Sequence, residues 1–133
     1  MAPGYFYAQQ KQPKKEEKAF KLAREVGTNN PKATMLLAVL YDRGIGTISD
    51  TRKVMGFLKK LSADNNSIAE FMLGTYYLFD KRWQEKGIAL LEKAAKQMNE
   101  YAQYNLAILV KQNKYQSGES FLSLLDKAAS HYD

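Results

Sequence analysis

The glycine pair in Arg43-Gly44-Ile45-Gly46-Thr47 is the element of this chain whose residue types and spacing come closest to a chemical site. Glycine-rich loops free backbone N–H groups to cradle a phosphate. Here the neighbours do not support that use. A phosphate loop needs GxxxxGK[ST], with a lysine reaching the phosphates, and no such lysine follows Gly46. A dinucleotide loop follows a strand, whereas the residues before Gly44 have helical spacing. The segment is therefore predicted to be a turn, with Gly44 and Gly46 at positive φ and Asp50 or Ser49 capping the next helix. His131 is the single histidine and there is no cysteine, so an ordinary zinc site cannot be assembled, and a Ser-His-Asp set is not expected with its base three residues from the end of the sequence. The carboxylates Asp42, Asp50, Glu70, Asp80, Glu85 and Glu92 are dispersed over different predicted helices and are read as surface and capping groups. No catalytic residue, metal ligand or cofactor is expected, and the chain is not read as an enzyme.

The elements that position these residues repeat. Alanine, leucine four residues on, a small residue five on and a bulky residue eight on occur three times: Ala33, Leu37, Ala38, Tyr41; Ala69, Leu73, Gly74, Tyr77; Ala102, Leu106, Ala107, Val110. The ladder alanines lie 36 and 33 residues apart. A second ladder interleaves with the first, as FLKKLS, LLEKAA and LLDKAA, with Lys60, Lys93 and Lys127 spaced by 33 and 34. Positions i, i+4, i+5 and i+8 share one side of a helix, so each period is a helix pair. The small residues Ala38, Gly74 and Ala107 let helix axes approach, and Tyr41 and Tyr77 fill the space beside the turn. Asn29, Asn30 and Pro31, then Asp64, Asn65 and Asn66, then Met98 and Asn99 mark the boundaries. Helices are predicted near 14–27, 31–43, 50–63, 67–79, 84–98, 100–112 and 118–131. The first is the second half of a repeat that lacks its first helix. Residues 1–12 form an N-terminal arm and 13–133 a single repeat domain. Helix pairs that cannot bury both apolar faces alone must stack.

Residues 33–60 resemble the Sel1-like repeat (SLR) family, relatives of the tetratricopeptide repeat. The likeness lies in the small residue, Leu-Ala, Tyr41, the Gly-x-Gly turn, Asp50, Lys53, Phe57 and the closing lysines. It extends over about residues 14–131 and is weaker in the later units, where the turn shortens: Tyr41 to Lys53 spans 12 positions and Tyr77 to Lys86 spans 9. The resemblance implies an all-α, right-handed α-α superhelix, a solenoid of about three helix-turn-helix repeats plus an N-terminal half repeat. It also implies a noncatalytic scaffold or adaptor that takes a peptide or helix on its concave face. The residues placed there are Met35, Val39 and Arg43; Phe71, Thr75, Leu78 and Phe79; and Tyr104, Ile108 and Lys111. A short basic member of this kind fits an immunity-type inhibitor of a bacterial effector.

Composition bounds the partner. At 133 residues, 45% hydrophobic and 26% charged, the chain can bury roughly two thirds of its unfolded surface as one domain. No apolar run approaches the ~18 residues of a membrane span. The net charge of +6 is concentrated near the start, where residues 1–24 hold six cations against two carboxylates. An acidic partner or surface would suit that segment. RNA is the alternative ligand, but most tyrosines occupy helical packing positions rather than a stacking platform. Tyr5, Phe6 and Tyr7 in the arm give a route to self-association. No basic-then-apolar leader opens the sequence, so it reads as cytoplasmic as written, or periplasmic had a leader been removed.

Overall fold

The computed structural model describes residues 13–115 and 121–130. All of its regular elements are helical: α1 Pro13–Val26, α2 Pro31–Arg43, α3 Thr51–Ala63, α4 Ser67–Leu78, a 3-10 turn Lys81–Trp83, α5 Gln84–Lys96, α6 Glu100–Lys111 and α7 Phe121–Ala129. The chain divides into two compact units, Met1–Phe57 and Leu58–Asp133, with α3 running through the division. The expected N-terminal arm, 1–12, and His131 lie outside the described residues.

Each ladder helix starts from an asparagine. Asn30, Asn66 and Asn99 have extended backbone, and each side-chain Oδ1 accepts from the amide of the ladder alanine three residues on, Ala33, Ala69 and Ala102. This satisfies a donor that helix geometry leaves orphaned. The cap also fixes the ladder's register, since Leu37, Leu73 and Leu106 then follow one turn later on the same side, each at most 3% exposed. The residues before the two later caps, Asn65 and Met98, reverse the chain at φ 62° and 66°.

In the first unit, the RGIGT segment is a turn as predicted. Gly44 (φ 66°) closes α2 through its N–H to Leu40 O, and Asp50 Oδ1 accepts from Lys53 N at 3.2 Å to open α3. Gly46 (φ 72°) is pressed against α1, where a Cβ would overlap the Glu16 carbonyl. Glycine is thus required there by close approach as well as by φ. Tyr41 fills the space beside this turn, meeting Phe20 edge-on at 5.2 Å and stacking on Phe57 at 5.8 Å.

In the second unit, α4 and α5 touch backbone to backbone. A Cβ on Gly74 would stand 2.9 Å from Gly87 O, and one on Gly87 would stand 2.7 Å from Gly74 O. The turn between them is the short 3-10 segment, opened by Asp80. The core continues through Leu91, Ala94, Ala102, Leu106, Ala107 and Leu109, with Phe71, Leu78 and Leu125 packed on its edge.

Two glycine substitutions test this arrangement. Gly56 lies within α3 with no atom within 4 Å of a prospective Cβ, so Gly56→Ala is expected to add about 1 kcal/mol by helix propensity. Gly74→Ala forces a methyl against a carbonyl and is expected to cost about 1–3 kcal/mol. Thermal melting of both variants should move in opposite directions, by about 3–5 °C per kcal/mol in a chain of this size.

Candidate protein-binding face

Along α4, Phe71, Thr75 and Leu78 recur at i, i+4 and i+7; along α6, Tyr101, Tyr104, Ile108 and Lys111 recur at i, i+3, i+7 and i+10. Each set shares a helix face. The two faces meet where the rings of Phe71 and Tyr101 lie 5.7 Å apart. Large apolar groups stay in solvent here: Phe79 is 86% exposed, Tyr101 58%, Tyr104 48% and Ile108 36%. Phe71 and Leu78 are half-buried because their inner edges pack on the core. Thr75 is half-buried and donates its hydroxyl to Phe71 O at 2.8 Å, so that proton is already used within the helix. Lys111 is exposed in the last turn of α6.

In the first unit, Met35 and Val39 are half-buried and Arg43 is exposed at the end of α2. Sequence reasoning missed Tyr101. It precedes the ladder alanine by one residue, and the ladder positions used to choose inward residues began two residues after it.

A second feature went unread. The residue following each ladder alanine is polar and buried: Thr34 at 1%, Glu70 at 0% and Gln103 at 2% exposure. Each is tied to an inter-repeat connection. Thr34 Oγ1 is 3.1 Å from Thr28 O and 2.9 Å from Asn30 O, and Gln103 Nε2 donates to Ala95 O at 3.2 Å. Glu70 Oε1 accepts from Gln97 Nε2, and Glu70 Oε2 lies 3.2 Å from Lys93 Nζ in an ion pair that lacks hydrogen-bond alignment. Glu70 is therefore not a surface carboxylate, as its dispersal in the sequence implied. It is the interior strut between α4 and α5, and its burial demands both partners.

Electrostatics elsewhere are those of an exposed surface. Arg82 donates to both Asp80 oxygens, at 3.2 and 2.8 Å. These hydrogen bonds hold the Asp80 carboxyl below its ordinary range and raise the guanidinium in return. The ladder tyrosines each hold a cation from the next helix. Lys53 Nζ lies 5.0 Å from the Tyr41 ring centre and Lys86 Nζ lies 5.4 Å from that of Tyr77. Among the described residues no group of three or more His, Cys, Asp or Glu side chains could hold a metal, and no helix is long and apolar enough to cross a membrane.

No protein-family model matches the sequence, and no curated protein gives a significant match. Solved structures do. The chain is similar to c5321, a protective antigen present in uropathogenic Escherichia coli strains displaying an SLR fold, at 25% identity and a TM-score of 0.77 over 89% of this chain. The chain has the Sel1-like repeat fold. A Sel1 repeat protein from Oxalobacter formigenes is similar at 24% identity and a TM-score of 0.70 over 79% of the chain. The matches cover 27% and 45% of those two proteins, so this chain spans less than half of either. The Tyr41–Lys53 and Tyr77–Lys86 pairings join the end of one helix of a repeat to the start of the other.

The buried strut yields a prediction. Gln97→Ala removes the hydrogen bond to an inaccessible carboxylate and is expected to cost about 1–3 kcal/mol. Lys93→Ala leaves the fully buried Glu70 carboxylate without this cation, and its cost is expected to be larger, about 3–5 kcal/mol. Urea midpoints at unchanged m-value give the comparison.

Proposed function

We propose that this chain is a noncatalytic adaptor that binds another protein, holding a peptide or helix against the α4 and α6 face. The observation that carries the reading is the exposure of four large apolar residues, Phe79, Tyr101, Tyr104 and Ile108, within one unit. Aromatic side chains on rigid helices lose little conformational freedom on binding and commonly supply most of its energy. A helix laid in such a face buries its own apolar stripe at i, i+3 and i+7. Thr75, Leu78 and Phe71 contribute shape beneath it, and Lys111 supplies a rim charge. Met35, Val39 and Arg43 are the equivalent repeat positions of the first unit.

The narrower role proposed is an immunity-type inhibitor of a bacterial effector. Its support is the net charge of +6, which favours an acidic partner, and the Sel1-like architecture.

The test is affinity purification from native lysate, identification of the captured protein, and titration of that partner with Tyr104→Asp and Phe79→Asp variants. Each variant is expected to weaken binding about 30-fold, equivalent to about 2 kcal/mol, with a melting temperature close to that of the parent. Phe71→Asp serves as the contrast. Its ring packs on the core, so both stability and binding should fall. Undiminished binding by both surface variants would remove the face from the proposal. RNA capture whose affinity collapses with added salt would replace the protein partner.

A further inference from the structure

Two cations of the first unit, Arg24 and Lys53, line one cavity of about 300 Å³. Leu37 and Tyr41 form its buried floor, and Thr28 and the half-buried Phe57 complete its walls. Neither cation forms an ion pair among the described residues. Each rests on a ring instead: Arg24 Cζ lies 5.7 Å from the ring centre of Phe20, and Lys53 Nζ lies 5.0 Å from that of Tyr41. Lys53 Nζ also donates to Tyr41 Oη at 3.4 Å, which leaves the proton of that hydroxyl to be given elsewhere. Asp50, the carboxylate that opens α3, accepts from Lys53 N and is not on the cavity wall. Lys53 stands in the first turn of α3, where the helix dipole adds to the same sign. Like charges around one small cavity repel until an anion stands between them.

The cavity comes from a departure from the repeat. In the later connections the capping asparagine directly follows the left-handed residue, Asn66 after Asn65 and Asn99 after Met98. In the first, Asn30 follows Gly27 by three residues, so Thr28 and Asn29 are additional. Thr34 Oγ1 donates to Thr28 O at 3.1 Å and holds this longer loop in place. Aligning the left-handed residues equates Arg24 with Ser62 and Ala95. Of the three connections, only the first combines the longer loop with a cation, and the repeat folds without either. We propose that this cavity binds the phosphoryl group of a phosphomonoester carried on a small apolar body. A dianion matches two cations, and the guanidinium of Arg24 presents a fork of N–H donors suited to phosphate oxygens. The hydroxyls of Tyr41 and Thr28 are further donors, while Leu37 and Phe57 offer apolar surface to the body. The volume is at the small end of ligand pockets, which suits a body about the size of one ring.

Titration of the full chain with phenyl phosphate at low salt, followed through amide chemical shifts, is expected to saturate and to move Gly27, Thr28 and Lys53 most. Arg24→Gln and Lys53→Gln should each weaken binding about tenfold. Both side chains are exposed, so the melting temperatures should stay near that of the parent. Lys18→Gln removes an exposed charge of α1 outside the cavity and should weaken binding less than about twofold. Benzoate, which carries one charge on the same ring, should bind the parent about tenfold more weakly than phenyl phosphate. A short phosphotyrosine peptide that binds more tightly than phenyl phosphate supports a phosphorylated partner as the source of the group; equal or weaker binding supports a free metabolite. No saturation by about 10 mM phenyl phosphate overturns the proposal. Equal losses for Lys18→Gln and Arg24→Gln, or benzoate binding as tightly as phenyl phosphate, overturn it as well.

Discussion

An amide accepted by an asparagine side chain sets the register of this protein. When Asn30, Asn66 or Asn99 bonds to the third amide of its helix, that residue is drawn inside the first turn, and only a small side chain suits it. The next residue then points into an inter-repeat connection, the one behind it for Thr34 and Gln103 and the one ahead of it, at Gln97, for Glu70. There Thr34, Glu70 and Gln103 supply polar groups to backbone or side chains of that connection. One short bond per repeat thereby specifies a small position, a buried polar position and, a turn later, a buried leucine. A polar group so placed stabilises only in one register, because any slip leaves it dry and unmatched.

Much of the architecture was legible because it repeats. The ladder alanines and lysines gave the period, and seven helices were expected where seven occur among the described residues. The largest difference among the described residues falls at a helix end, where α5 stops at Lys96 rather than near 98; the expected start of α7 near 118 lies outside the described residues. The turn reading of RGIGT followed from the absent lysine, and Gly44 and Gly46 do take positive φ. The close contact of Gly46 with α1 was not legible, since Glu16 is thirty residues away and nothing local announces it.

The candidate face was harder to read for a different reason. Apolar residues surround α4 on most sides, so periodicity cannot separate those that pack inward from those left in water. Leu78 and Phe79 are adjacent and both apolar, yet one packs on the core and the other is 86% exposed. Glu70 presents the converse difficulty. A carboxylate in the first turn of a helix ordinarily answers the helix dipole from the surface. Only the facing Gln97 and Lys93, 27 and 23 residues on in sequence, show that this one is interior.

The tyrosine–lysine pairs have a less obvious outcome. Lys53 and Lys86 are each the third residue of their helix, at the positive end of the helix dipole, which disfavours a cation. The ring faces of Tyr41 and Tyr77 offer the compensating negative quadrupole. Attraction to the ring and repulsion from the helix start are of comparable size, each about 0.5–1 kcal/mol. Acetylating either amine abolishes both at once, together with the hydrogen bond that Lys53 Nζ donates to Tyr41 Oη at 3.4 Å and the contact of Lys86 with the Trp83 ring, and it changes the charge that an approaching molecule encounters.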